Sequence, residues 1–372
     1  MLFFYKLTQS MTNKSAHNLP DGLILPKIHR FEKAPAQILA ASANKEVFAG
    51  LKKGAKYYFA DTWGTAMAFY SWLKKKVNKQ YPVTDYESSR KNLNKLKSLS
   101  GNLFINITNQ RASLAKAPEN PWIKEFFPDE KEFYISFPDF LGLNGARQWF
   151  ENGISYPGLR QKIHPFYGTY FPTRNEHLVL FDKWLEKNDT FSSAIDLGAG
   201  CGVLSFYMLK HKVKNIIASD INPNALYSIS LNLSMLGLDR SIRLKKTSFL
   251  ENINTQSIDL LVFNPPWIPG DATDMMDKSM YYTKDFFAHF FDEAYNKLPA
   301  KCIIAIIFSN FSIAAGLPNE NPIEKELAGN KRFTLVEKLS APVKQKPSKG
   351  KNWLSEIRQR EELALWVLGK QF

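Results

Sequence analysis

The chain has 372 residues, of which 44% are hydrophobic and 23% charged, and its formal net charge is +14. That length exceeds what one hydrophobic core usually organises and implies two domains, while no apolar run reaches the roughly 18 residues needed to cross a bilayer. The two cysteines, Cys201 and Cys302, form no CxxC pair, which excludes a Cys-rich zinc site and a disulfide framework.

Residues 1–20 are polar and read as a loose N-terminus, within which Met11 could serve as an alternative start. The four-residue apolar patch in MLFFYKLTQS is too short for a signal-peptide core, so a cytoplasmic location with no membrane partner is expected. Residues 35–56 and 57–79 read as two helices, the second carrying aromatics near helical spacing and ending in lysines that suit a helix C-terminus. A further helix is expected over 87–100 and a strand over 103–108. Pro118, Pro121 and Pro128 interrupt any long helix, so 117–165 reads as packed irregular structure with short helices. A mainly helical N-terminal domain over 21–165 is the sum of these readings. It holds most of the charge: residues 1–165 carry 24 Lys/Arg against 13 Asp/Glu, and 41–116 alone carry 14 against 4. Such a face suits RNA, DNA or a ribosome-like partner, and equally a solubilising surface in a Lys-rich proteome.

From residue 166 the pattern changes. EHLVLFDKWLEKN (176–188) is an amphipathic helix, AIDLGAGCG (194–202) a strand running into glycines, and VLSFYMLKHK (203–212) a helix. A strand follows over 215–222, a helix over 223–238 with Pro223 in its first turn, and strands over 241–249 and 257–267. A helix over 286–298, a strand over 302–312 and a closing pair of strands at 333–341 and 362–370 complete the domain. Alternating strands and helices predict an α/β, Rossmann-like, doubly wound sheet, whose ligands bind outside the carboxyl ends of its strands. The glycine loop, Asp220, Ser248-Phe249 and Asn264-Pro265-Pro266-Trp267 all fall at such ends.

Each of these carries a chemical expectation. Asp196-Leu197-Gly198-Ala199-Gly200-Cys201-Gly202 lets the backbone turn sharply and approach a ligand. Its third glycine comes one place early for a nicotinamide fingerprint, and Val203 stands in the expected position. Asp220, 24 residues after Asp196, can accept both hydroxyls of a ribose, or it can cap the helix that starts near Pro223. Asn264-Pro265-Pro266 is a stiff extended corner that can hold a small ligand group or simply end a strand. His177 and His289 have no ligand spacing and read as structural, and no metal site is expected.

Together these residues resemble the class I S-adenosylmethionine-dependent methyltransferases. Within them the Asn-Pro-Pro-aromatic order is similar to the branch that methylates planar nitrogens, the HemK-type glutamine methyltransferases and the amino methyltransferases of nucleic-acid bases. The resemblance covers about 166–372 and implies a seven-stranded sheet. It implies that Gly198, Gly200 and Gly202 border the methionine part of S-adenosylmethionine, with Asp196 near its ammonium and Asp220 on its ribose. Ser248 and Phe249 would lie beside the adenine, with Ser248 where an acid is commoner. Asn264 and the Pro265 carbonyl would accept hydrogen bonds from the target NH₂, Pro266 would complete the corner, and Trp267 would pack on the planar target.

FYGTYFPTRNEHLVLF (166–181) is similar to the segment that opens the HemK-type catalytic domain, with Pro172, Arg174 and Glu176 in a matching order. Arg174 or Thr173 would bound the pocket, or the stretch would serve as a helix cap. The basic connection APVKQKPSKGKNW (341–353) reads as a substrate flap with Lys349 and Lys351, or as a solvated loop. The resemblance implies an N-methyltransferase acting on a macromolecule, on a protein glutamine (a release factor or ribosomal protein) or on an RNA or DNA base, with the N-terminal region recognising the substrate. A non-catalytic S-adenosylmethionine-binding protein is the rival of another class.

Overall fold

The computed structural model describes residues 19–317, 320–329, 332–344 and 353–371. The expected loose N-terminus falls almost wholly outside these residues, as do Lys349 and Lys351. Contacts divide the chain into two compact units, Met1–Tyr70 with Leu99–Asn144, and Ser71–Ser98 with Gly145–Phe372.

The first unit is built on a sheet where helices were expected. Its strands are β1 (Ile28–His29), β2 (Ala36–Ile38), β3 (Tyr57–Phe59), β4 (Leu103–Thr108), β5 (Arg111–Ala112) and β6 (Glu132–Ser136), in the order β1-β6-β4-β3-β2 with β5 on β4. The helices of this half of the chain are α1 (Asn44–Lys52), α2 (Trp63–Gln80), α3 (Tyr86–Ser100), α4 (Trp122–Phe126) and α5 (Phe137–Asn152). The expected helix over 35–56 is therefore a strand followed by α1, which ends near Gly54 at φ +83°. The expected helix over 57–79 is β3 followed by α2. Tyr57-Tyr58-Phe59 is an aromatic run suited to a pleated surface. It adjoins the aromatics of α2, which hides the change of period. Thr62 accepts a hydrogen bond from the Thr65 amide through Oγ1 (3.1 Å) and marks the true start of α2.

The stretch 117–165 also holds more regular structure than its prolines suggested. Ser136 Oγ accepts from the Asp139 amide and donates to its carboxylate (3.2 and 2.7 Å), a reciprocal cap. Pro138 lies in the first turn of α5, where its missing N–H costs nothing.

The second unit has the expected seven-stranded sheet. Its elements are α6 (Glu176–Lys187), β7 (Ser193–Leu197), α7 (Val203–Lys210), β8 (Asn215–Asp220), α8 (Pro223–Leu236), β9 (Ile242–Lys246), β10 (Leu260–Phe263), β11 (Ile268–Pro269), β12 (Tyr281–Tyr282), α9 (Phe286–Lys297), β13 (Ile303–Ser309), α10 (Phe311–Ala314), α11 (Pro322–Gly329), β14 (Phe333–Pro342), α12 (Trp353–Arg360) and β15 (Glu362–Lys370). The order is β14-β15-β13-β10-β7-β8-β9. Strands β13, β10, β7, β8 and β9 run parallel, while β15 is antiparallel to both neighbours. Both faces are covered, so alternate residues of one strand enter different cores. Leu260, Val262, Ala305 and Ile307 pack on one side, and Leu261, Phe263, Ile304 and Ile306 on the other. The chain lays down β7, β8 and β9 outward, then returns to place β10 on the other side of β7. This switch opens a crevice at the carboxyl ends of β7 and β10. No helix among the described residues is long and apolar enough to cross a membrane.

Phe290 of α9 is fully buried, with its ring centroid 4.7 Å from that of Phe263 and 6.1 Å from that of Phe249. Phe290→Ala is expected to cost about 3–5 kcal/mol in urea unfolding. A loss under about 1 kcal/mol would show that this layer does not support the sheet.

Candidate active site

The glycine loop after β7 is held in left-handed backbone conformations that favour glycine. Gly198, Gly200 and Gly202 have φ of +63°, +53° and +79°. A Cβ on Gly200 would lie 2.9 Å from the Tyr170 carbonyl oxygen, and one on Gly202 would lie 2.8 Å from Ile229 Cγ1. Gly200 thus permits close backbone approach, whereas Gly202 lets α7 and α8 pack. The Cys201 amide donates to the Tyr170 carbonyl (3.0 Å), and the Ala199 amide to the Ser219 carbonyl (2.9 Å).

One carboxylate anchors this loop, and a second holds the first turn of the helix that follows it. Asp220 ends β8 and takes the Gly200 amide on Oδ2 (2.9 Å) and the Asn222 amide on Oδ1 (2.8 Å). Burial pushes its carboxyl up from the ordinary value, and the amides of Asn222 and Gly200 oppose that shift. The helix cap is not Asp220 but Asn222, whose side chain accepts from the Asn224 amide (3.0 Å) ahead of Pro223. Asp196 is fully buried, and its Oδ2 accepts from the Ser205 amide and hydroxyl (2.9 and 2.6 Å). Its Oδ1 has no partner among the described residues. Burial pushes Asp196 up to about 7, although the Ser205 hydrogen bonds favour its charged form.

A cavity of about 440 Å³ opens over these strand ends, lined by Gly198, Gly200, Asp220, Ser248, Phe249, Asn264 and Pro266. Six of the expected cofactor residues therefore meet in one place. Asp196 and Gly202 lie beneath it and do not reach its wall. Phe249 presents a ring braced by Phe286 (5.0 Å) and His289 (5.3 Å). The excursion after Trp267, through β11 and β12, closes the far side with Asp271, Met275, Tyr281 and Tyr282. It is tied down from α3, where Lys97 Nζ bonds Asp274 (2.8 Å) and the Arg90 guanidinium stacks over Tyr281 at 4.2 Å.

A second cavity, about 230 Å³, adjoins the corner and is lined by Thr173, Arg174, His177, Asn264, Pro265, Trp267, Arg358 and Glu361. Asn264 lines both cavities, as do Tyr170 and Pro172. The Trp267 indole N–H donates to Asn264 Oδ1 (3.1 Å), and the His177 ring stands edge-on to Trp267 at 5.7 Å and 89°. Arg174 is held below the ordinary guanidinium range, by burial first and then by the Arg358 charge. Arg358 Nη1 bonds Glu361 Oε2, and Ser309 Oγ donates to Glu361 Oε1 (2.8 Å). Glu176 accepts from its neighbour, the Asn175 amide, and from the Lys344 amide (3.1 and 2.9 Å), so it braces the start of α6 rather than the cavity.

Sequence reasoning missed Tyr170, Arg358, Glu361 and the wall from Asp271 to Tyr282, which become part of the site only through the fold. His177, read from the sequence as structural, lies in the wall of the second cavity. Among the described residues no group of His, Cys, Asp or Glu could hold a metal ion.

Residues 179–311 match the family model described as "Methyltransferase small domain". The chain is 27% identical over 132 residues to a protein of Methanocaldococcus jannaschii provisionally named as a protein N5-glutamine methyltransferase, a match covering 36% of this chain and 63% of that relative. It is 31% identical over 94 residues to the ribosomal protein uL3 glutamine methyltransferase of Neisseria meningitidis serogroup A, covering 25% of this chain and 31% of that one. The ribosomal protein L11 methylase of Lactobacillus delbrueckii subsp. bulgaricus aligns at 18% identity and a TM-score of 0.36, over 58% of this chain and 91% of that one. The chain thus spans less than two thirds of the length of either curated relative. The residues that match this model lie within the seven-stranded unit of β7 to β15.

Gly200→Ala is expected to weaken S-adenosylhomocysteine binding at least tenfold by calorimetry, since a Cβ would meet backbone. Gly237→Ala, also at positive φ but with nothing within 4 Å, should leave binding unchanged; equal effects would rule out the clash. Asp196→Asn tests the buried carboxyl. A folded value of about 7 lies above the usual unfolded one, so the acid favours folding fully below about pH 4 and loses that contribution as pH rises through 7. Wild type should therefore lose stability relative to Asp196→Asn between pH 4 and 7 in urea unfolding, and parallel profiles would disprove the shift.

Proposed function

We propose that the chain is an S-adenosylmethionine-dependent N-methyltransferase of the HemK-like branch, acting on the side-chain amide of a protein glutamine. The observation that carries this reading is the position of Asn264 in the wall of both cavities. A methyl donor on one side and a planar acceptor on the other would meet at this residue.

The residues of the larger cavity fit the donor. Each Asp220 oxygen uses one lone pair on an amide and keeps another for a ribose hydroxyl. Asp196 Oδ1, without a partner among the described residues, lies under the loop, where a bound ammonium would favour its charged form. Gly200 lets the loop close against the Tyr170 carbonyl, and Phe249 offers a face for the adenine. Ser248, in place of an acid, would leave the adenine more to stacking than to hydrogen bonding. S-adenosylmethionine supplies an electrophilic methyl group; the protein supplies position and electrostatics.

On the acceptor side, an amide nitrogen is a poor nucleophile because its lone pair is delocalised into the carbonyl. Two acceptors fixed on its N–H groups would turn the nitrogen so that its lone pair faces the methyl carbon. The second lone pair of Asn264 Oδ1 and the Pro265 carbonyl are suited to this, and Pro265-Pro266 makes the corner too stiff to yield. Trp267 would cover the planar group. The N-terminal region would present the acceptor protein, of which a ribosomal protein or a release factor is the candidate class.

One observation favours a second reading. The surplus of 14 basic over 4 acidic residues in 41–116 suits a nucleic acid, whose base amino group would then be presented unstacked. Steep loss of RNA binding with salt would support that reading over the protein amide.

Asn264→Ala is expected to lower turnover about 10²–10³-fold, as for loss of one fixed polar group at a reacting centre, while the affinity for S-adenosylhomocysteine changes less than threefold. Unchanged turnover would remove Asn264 from the mechanism.

A further inference from the structure

The second cavity contains polar groups whose partners are missing. His177 is 1% exposed, on α6, and neither Nδ1 nor Nε2 finds a partner among the described residues. The Nε of Arg358 is also buried and unpartnered, although Nη1 of the same guanidinium bonds Glu361. An unpaired imidazole in a core is costly, because it has left water and gained nothing. Unpaired groups of this kind call for an explanation, and a ligand is one.

The balance of donors and acceptors defines that ligand. His177, Arg358 Nε and the Arg174 guanidinium offer donors. Each Glu361 oxygen gives one lone pair, to Arg358 or to Ser309, and Asn264 Oδ1 gives one to Trp267, so these oxygens keep acceptor capacity beside the donors. The wall can therefore receive a group that brings a carbonyl for the donors and an NH₂ for Asn264 and Pro265. A primary carboxamide is the smallest planar group that brings both.

We propose that His177 is a specificity-determining residue of the acceptor pocket, hydrogen-bonding the carbonyl of a primary carboxamide whose NH₂ rests on Asn264, with Arg358 Nε beside it. This rests on the reading of the site as an N-methyltransferase and names the group that it selects. Burial also holds the imidazole down to about 4, so it is neutral near pH 7 and presents one donor and one acceptor. The edge-on contact with Trp267 sets its ring orientation.

The test uses the full chain with S-adenosylhomocysteine present and ¹⁵N-labelled histidine. His177 ring signals are assigned by their loss in His177→Leu. N-acetylglutamine methylamide is titrated in one arm and adenosine monophosphate in the other. The amide should shift the His177 ring nitrogens saturably, and adenosine monophosphate should not. His177→Leu should weaken amide binding about tenfold, the size of one lost hydrogen bond, with unchanged affinity for S-adenosylhomocysteine and an equal or higher Tm. His177→Gln, which keeps a donor, should recover part of the affinity. A shift with the nucleotide alone, no shift with either probe, or a falling Tm with unchanged amide affinity in His177→Leu would each overturn the proposal. If His177 responds to the amide but wild type transfers no methyl group, amide recognition stands and the methyltransferase reading falls.

Discussion

Two hydrogen bonds to the glycine loop hold the site together. The Gly200 amide donates to Asp220 at the end of β8, and the Cys201 amide donates to the Tyr170 carbonyl before α6. Between them they pin the loop after β7 to its neighbouring strand and to the segment that leads into the sheet. This tie requires glycine at position 200, because a side chain there would meet the Tyr170 carbonyl. The same loop separates the two faces of the crevice: Tyr170 and Pro172 line both cavities because the loop holds them in place. Loosening either bond would change the walls of both cavities together.

The sheet is buried on both faces, and not all the polar groups packed around its carboxyl edge are satisfied. Asp196 Oδ1, both nitrogens of His177 and Arg358 Nε are buried without partners among the described residues, at roughly 1–3 kcal/mol each. A fold selected for stability alone would have replaced them by apolar groups or paired them. That they gather under one cavity and in the wall of the other fits a site whose hydrogen bonding is completed by what binds there.

The second unit was legible because its pattern is consistent at every level: apolar strands with turn residues at their carboxyl ends, and helices with Pro223 and Gly237 at their termini. The strand-end residues Gly198, Asp220, Phe249 and Asn264 could be brought together on paper because a parallel sheet aligns its carboxyl ends. Two kinds of feature were not legible. Where β3 runs directly into α2, aromatic residues continue across the junction, and the shift from a period of two to 3.6 is lost among them. Cavity walls that depend on distant segments carry no local signal either: Arg358 and Glu361 reach the site only because β15 lies antiparallel to β13. Asp196 shows a third limit. Its motif says that it belongs to the loop, but only the packing shows that its carboxylate is buried and bonds Ser205 of α7.

Tryptophan at position 267, where tyrosine or phenylalanine is commoner in the family that the sequence resembles, has a physical consequence. The indole N–H donates and cannot accept, so its bond to Asn264 identifies the amide face it meets as the oxygen. Phenylalanine would leave the Asn264 amide free to rotate, and a tyrosine hydroxyl, able to donate or accept, would satisfy either orientation. The indole therefore preorganises the asparagine at the cost of one of its two oxygen lone pairs. One lone pair remains, which is enough for one N–H of a planar target, and the other N–H then falls to a backbone carbonyl that the two prolines prevent from moving. The indole also stands edge-on to His177 in the second cavity, and in the proposed reading that wall would suit a small carboxamide better than a bulkier flipped base.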